Sequence, residues 1–159
     1  MQWTKRDFLR GSGTAALVAC FGCSDVDAKG KFAVSYSDAE WKKRLSPAAF
    51  RVLRQEDTEP PFTSPLNKEK RAGIFSCAGC EQKLFSSTTK FESGTGWPSF
   101  YRPLAGAVGT TTDYKLGYGR TEVHCSRCGG HLGHVFDDGP KPTGKRYCMN
   151  GVAMTFRAG

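Results

Sequence analysis

Two CxxC pairs set the strongest constraint on this chain. Cys77-Ala78-Gly79-Cys80 and Cys125-Ser126-Arg127-Cys128 each form a turn that can aim two thiols at one point. Two such turns together make a tetrahedral four-cysteine metal site, so the chain must bring segments 44 residues apart into contact. That gap exceeds the spacing of a small zinc finger; the metal would staple distant parts of a sheet. A closed four-thiolate site leaves no position open for substrate, which assigns it to stability. Two alternatives remain at this level: a pair of redox-active CxxC centres, and disulfides, which an oxidising compartment permits.

A chain of 159 residues supplies one core. Nineteen glycines and eight prolines point to a turn-rich, mainly β protein rather than a helical bundle, with helices first and antiparallel sheet after. Ser37 and Glu40 have the spacing of a capping box, and Ser46-Pro47 places a cap before a first-turn proline, so helices start after each. Glu59-Pro60-Pro61 through Pro65 ends any helix and reads as extended. Strands are expected at 73–77, 83–86, 107–112, 120–125, 132–136 and 146–156. The net charge of +8 raises the question of nucleic acid, but the basic residues are scattered and carry no recognisable motif; no nucleic-acid partner is expected.

Residues 1–23 read as an export signal. Thr4 to Arg10 resembles a twin-arginine signal with lysine at the first arginine, and the weakly apolar run to Phe21 is too short to span a bilayer. Leu17-Val18-Ala19-Cys20 has the pattern of a lipobox, which would make Cys20 a lipid anchor; cleavage after Ala28 is the alternative. Residues 24–35 follow as a linker, and 36–159 as the folded domain. The expected location is the periplasm or a membrane surface reached only through that anchor, with an uncleaved cytoplasmic N-terminus as the third option.

Of the seven cysteines, Cys20 and Cys23 form a third CxxC pair in the export segment, and Cys148 is the singleton. In a strand, Arg146, Cys148 and Asn150 share a face whose other end is Val152, Met154 and Phe156. A cation, a thiol and an amide at the rim of a core suggest a reactive cysteine, against the plainer reading of a small buried one. His131 and His134 face opposite sides of a straight strand; they reach one site only if the chain bends, which Gly133 permits. Trp97, held by Gly94-Thr95-Gly96 and Pro98, could wall an apolar pocket, and Asp137-Asp138-Gly139-Pro140 reads as a turn.

In this order, the two CxxC pairs, Gly94 to Phe100, His131 to Phe136 and Arg146 to Asn150 resemble the methionine-R-sulfoxide reductase B family over about Tyr36 to Phe156. The resemblance implies two antiparallel sheets, a structural zinc on Cys77, Cys80, Cys125 and Cys128, and reduction of the R epimer of methionine sulfoxide in proteins or peptides. It implies Cys148 as nucleophile and Arg146 as its electrostatic support. His131, His134 and Asn150 would act at the sulfoxide oxygen, and Trp97 with Phe136 would receive the substrate. Thioredoxin is the implied reductant. Gly151-Val152-Ala153-Met154 departs from the Ser-Ala-Ser-like run of many members. No cysteine lies between 80 and 125 to act as the resolving thiol found in many members. Direct reduction of the Cys148 sulfenic acid by thioredoxin or a thioredoxin-like protein is therefore expected, with Cys23 as the alternative resolver. A monomer is the default state.

Overall fold

The computed structural model describes residues 32–159. The export signal, Cys20, Cys23 and most of the linker lie outside them. Both helix starts form as their caps require. In α1 (Asp38–Arg44), Ser37 Oγ accepts from Glu40 N at 3.4 Å while Glu40 Oε2 accepts from Ser37 N at 2.9 Å. In α2 (Pro47–Gln55), Ser46 Oγ accepts from Ala49 N at 3.2 Å. Each cap stabilises its helix by about 1 kcal/mol. The helix α2 buries Ala49, Phe50, Val52 and Leu53. Pro65, in the segment expected to be extended, instead opens a 3-10 turn, Pro65–Lys68, capped by Ser64. Proline's fixed φ suits that first-turn position as well as an extended one.

Nine strands follow among the described residues: β1 (Gly73–Cys77), β2 (Lys83–Ser86), β3 (Lys90–Phe91), β4 (Ser99–Phe100), β5 (Val108–Asp113), β6 (Arg120–Cys125), β7 (His131–Phe136), β8 (Arg146–Met149) and β9 (Met154–Ala158). They form a three-stranded sheet ordered β2-β1-β9 and a six-stranded sheet ordered β3-β4-β8-β7-β6-β5, with every pairing antiparallel. Fully buried Phe75, Phe85 and Phe100 join the sheets; the rings of Phe85 and Phe100 stack at 4.3 Å and Phe75 meets Phe100 edge-on at 4.9 Å. Each such ring contributes roughly 1.5–3 kcal/mol by leaving water.

The expected strand over 146–156 is broken. After β8 the chain makes a 3-10 turn, Gly151–Ala153, and β9 continues in the other sheet. Val152, Met154 and Phe156 therefore do not extend the face of Cys148. The cause is a buried carboxylate: Glu59 Oε2 accepts from Gly151 N at 2.6 Å and Val152 N at 3.4 Å, donors that a continuing strand would give to a neighbour. Residues before Tyr36 are also packed. Val34 N donates to Arg127 O at 3.0 Å, and Phe32 meets His124 edge-on.

Candidate active site and four-cysteine cluster

The bend expected between the histidines is a bulge. Val123 pairs with Gly133 and His124 with His131, so Leu132 is the extra residue on β7. Gly133 has φ +155°, and a Cβ there would lie 2.1 Å from the Cys148 carbonyl oxygen. Only glycine lets β7 and β8 approach so closely. The bulge turns both imidazoles to one side, with ring centres 5.3 Å apart.

Cys148 sits in β8 between two partners. Across β7 it faces His134, and across β4 it faces Ser99. A cavity of about 110 Å³ opens at this point, lined by Thr58, Trp97, Arg120, Gly133, His134, Phe136, Cys148 and Asn150. Five of the residues singled out from sequence thus meet at one cavity: Trp97, His134, Phe136, Cys148 and Asn150. Trp97 is fixed by its indole, whose Nε1 donates to Glu59 O at 2.8 Å. Asn150 is fixed at both ends of its amide: Oδ1 accepts from Glu59 N at 2.8 Å and Nδ2 donates to Leu132 O at 3.0 Å. Those partners set the amide's orientation and leave one amide hydrogen uncommitted by them.

Two residues expected at the site do not line the cavity, although one of them, Arg146, has a guanidinium pKa raised first by Asp138 and also by the nearby Cys148 sulfur. His131 is 3% exposed and does not line the cavity; its Nδ1 lies 2.9 Å from Glu122 Oε1. Thr111 donates to the other oxygen of Glu122. Arg146 reaches over the Phe136 ring at 4.4 Å and donates twice to Asp138, from Nε and Nη2, each at 2.8 Å. The Arg146 guanidinium holds the Asp138 carboxyl below its usual range. Asp138, read as part of a turn, is thus also the clamp on Arg146.

His134 has its own carboxylate. Its Nε2 lies 2.8 Å from Asp113 Oδ2, which also accepts from Arg120 at 2.6 Å, while Asp113 Oδ1 accepts from Lys115 N at 2.8 Å. A carboxylate partner puts a hydrogen on Nε2. Burial pushes the imidazole's pKa down, and Asp113 partly opposes this. The Lys115 amide is the largest favourable influence holding Asp113 down to about 2, with His134 and Arg120 adding to it.

Thr58, Glu59, Asp113, Arg120 and Glu122 carried no sequence signal of function. Thr58 and Glu59 lie in the irregular segment between the end of α2, capped by the left-handed Glu56, and Pro60. Asp113, Arg120 and Glu122 belong to a hairpin whose partners are set by register across strands.

The cysteines of the two CxxC turns converge. Cys77, Cys80, Cys125 and Cys128 place their sulfurs within 4.8 Å of one another. Two contacts cross between the turns, Cys77 to Cys128 at 3.7 Å and Cys80 to Cys125 at 3.5 Å. A disulfide needs about 2.05 Å. Sulfurs around a tetrahedral ion with bonds of about 2.3 Å stand roughly 3.8 Å apart, so the set fits such an ion. The crowding drives the Cys125 thiol pKa far down through its contact with Cys128, while Cys77's is driven far up by Cys125. None of the four lines the cavity.

A mainly β domain with a four-cysteine cluster and a lone thiol in an aromatic-walled cavity defines a SelR domain, and the SelR domain model matches residues 45–158. The chain belongs to the MsrB family. It is 53% identical to the peptide methionine sulfoxide reductase MsrB of Leptospira interrogans over 127 residues, 79% of this chain and 97% of that one. It is 56% identical to the protein of the same name from Methanosarcina barkeri over 126 residues, 79% of this chain and 89% of that one. It is 50% identical to the chloroplastic peptide methionine sulfoxide reductase B1 of Arabidopsis thaliana over 131 residues, 82% of this chain and 64% of that one.

Proposed function

We propose that the protein reduces the R epimer of methionine sulfoxide in peptides and proteins, with Cys148 as nucleophile. The observation that carries this reading is the cavity in which the Cys148 thiol meets Trp97, Phe136, His134 and Asn150. The Cys148 thiolate attacks the sulfoxide sulfur, the S–O bond breaks, and one proton is taken up. The transient bond between Cys148 Sγ and the substrate sulfur breaks as the oxygen passes to Cys148 Sγ, so methionine leaves and Cys148 is left as a sulfenic acid. Two thiols of a reductant then return Cys148 to the thiol, releasing water and a disulfide.

His134 is the cavity group that can carry the incoming proton, and the uncommitted Asn150 hydrogen can donate to the oxygen. His131 acts through His134 as a positioning residue, and Arg146 favours the thiolate. Trp97 and Phe136 form an apolar wall for the substrate methyl group. Exchanging methyl and oxygen, as the S epimer does, would set the polar atom on that wall and leave a donor unpaired. Cys77, Cys80, Cys125 and Cys128 hold a structural zinc, which bound there ties the two turns together.

Among the described residues Cys148 is the only cysteine outside the cluster, which supports direct reduction by a thioredoxin-like dithiol. The export-like N-terminus supports a periplasmic or lipid-anchored location. Turnover of separated epimers by wild type and Cys148→Ser tests the reaction. R-specific turnover, abolished in Cys148→Ser, is expected; equal activity in the two proteins would sink the mechanism.

A further inference from the structure

Beside Cys148 lies a chain of three hydroxyls in and next to the loop joining β3 to β4. Thr95 Oγ1 is 3.7 Å from Cys148 Sγ, Ser93 Oγ is 2.8 Å from Thr95 Oγ1, and Ser99 Oγ is 2.7 Å from Ser93 Oγ. The chain ends where Ser99 Oγ donates to the Trp97 carbonyl at 3.1 Å. Ser99 is 1% exposed, and Thr95 and Ser93 are half-buried.

A hydroxyl has one hydrogen, so the last bond fixes the direction of the others. With the Ser99 hydrogen on Trp97 O, Ser93 donates to Ser99, and Thr95 donates to Ser93. Thr95 then has only lone pairs to offer Cys148, and the thiol must donate to it. That polarity suits the neutral thiol alone. A thiolate has no hydrogen to give and needs a donor. Turning all three hydroxyls supplies one: Thr95 donates to sulfur, Ser93 to Thr95, and Ser99 to Ser93. The Trp97 carbonyl gives up a donor in exchange.

We propose that Thr95 is a catalytic residue, the hydroxyl that donates to the Cys148 thiolate, held ready by a reversible hydroxyl chain through Ser93 and Ser99. The proposal rests on Cys148 being the nucleophile. No proton travels along the chain: the thiol proton leaves to solvent and the hydroxyls rotate. The chain is neutral, and the charged or titratable groups around the thiol come from other directions. They are Arg146 with its partner Asp138, His134 with Asp113 on β7 and β5, and Arg120 on β6. The Glu59 carboxylate is engaged with Gly151 and Val152. The β4 side therefore offers only hydroxyls to the sulfur.

The test is alkylation of Cys148 by iodoacetamide in the reduced full chain, followed by mass spectrometry of the Cys148 peptide. Thr95→Val, which removes the hydroxyl and keeps the shape, should slow alkylation at pH 7 about three- to tenfold, the scale of one hydrogen bond's net contribution. The deficit should close as pH rises. Thr95→Ser should restore the wild-type rate, and Ser93→Ala should give an intermediate loss. Equal rates for Thr95→Val and wild type at pH 7, or a deficit of the same size at every pH, would overturn the proposal; the second outcome would mean altered access. An unaffected Ser93→Ala protein would overturn the chain. The readout needs no sulfoxide, so failure of the reductase reading would appear separately, as turnover surviving in Cys148→Ser.

Discussion

Glu59 and Asn150 hold each other although 91 residues separate them: the Glu59 amide donates to Asn150 Oδ1 at 2.8 Å. The same glutamate anchors Trp97 through its carbonyl and takes the first amides of the turn after Asn150 on its carboxylate. One buried residue thus sets the apolar wall and the polar end of the cavity together. Glu59→Ala should leave two amides without an acceptor. It should cost about 1–3 kcal/mol in urea unfolding and lower kcat/KM. Glu59→Gln keeps an acceptor oxygen and should recover most of both. A Glu59→Ala protein as stable and active as wild type would show that water replaces the carboxylate.

The His134–Asp113 pair makes the protein sensitive to acid. Burial depresses His134 below its ordinary 6.5, so its contribution to stability is present above pH 6.5 and is lost as pH falls through the folded value. Asp113 is depressed from 3.8 to about 2, so its contribution is lost later, as pH falls from about 4 towards 2. Melting temperature should therefore decline below pH 6.5, and His134→Gln should flatten the first part of the decline. Asp113→Asn removes the carboxylate that opposes the burial effect. Any step that needs protonated His134 should then move to lower pH, visible as a shifted limb in the kcat profile.

Elemental analysis should find one zinc ion per chain, absent from Cys125→Ser. Loss of the ion leaves four crowded thiols and unties β1 from β6. The expected cost is several kcal/mol, about 4 or more, which corresponds to roughly 10 °C in Tm. Wild type treated with a strong chelator should fall to the same Tm as Cys125→Ser.

Gly133→Ala should be among the most damaging small changes. Its Cβ would meet the Cys148 carbonyl oxygen at 2.1 Å and Met149 Cα at 3.0 Å, both backbone atoms. Either β8 moves away or the bulge is lost, and each separates His134 from Cys148. We expect a loss of about 2–4 kcal/mol in stability and activity well below that of wild type. A crystal structure of the variant would show which strand yields.

Local chemistry was legible in sequence. The caps of α1 and α2 formed at Ser37 and Ser46 because side chain and backbone lie within four residues. Most strands appeared within a residue of expectation because turn residues bound them. The pairs β3 and β4 did not, since two residues carry no period. The strand expected to run through Phe156 failed for a related reason: its alternation continues, but Glu59, 92 residues from Gly151, takes the amides and turns the chain. At the site, Trp97, His134, Phe136, Cys148 and Asn150 were recognisable because they lie in motifs. Asp113, Glu122 and Glu59 were not, because only strand register and the packing of the post-α2 segment bring them to their partners.

The turn at Gly151–Ala153 also joins two parts of the molecule with separate tasks. Upstream, β8 carries Cys148; downstream, β9 pairs with β1 and sets Met154 opposite the cluster ligand Cys77. Only five residues of chain lie between Cys148 and that pairing. A loosened cluster would reach the nucleophile as a change in the tension of this short tether. Metal-depleted protein that still folds should therefore be a poorer catalyst, with its defect in the placement of one sulfur.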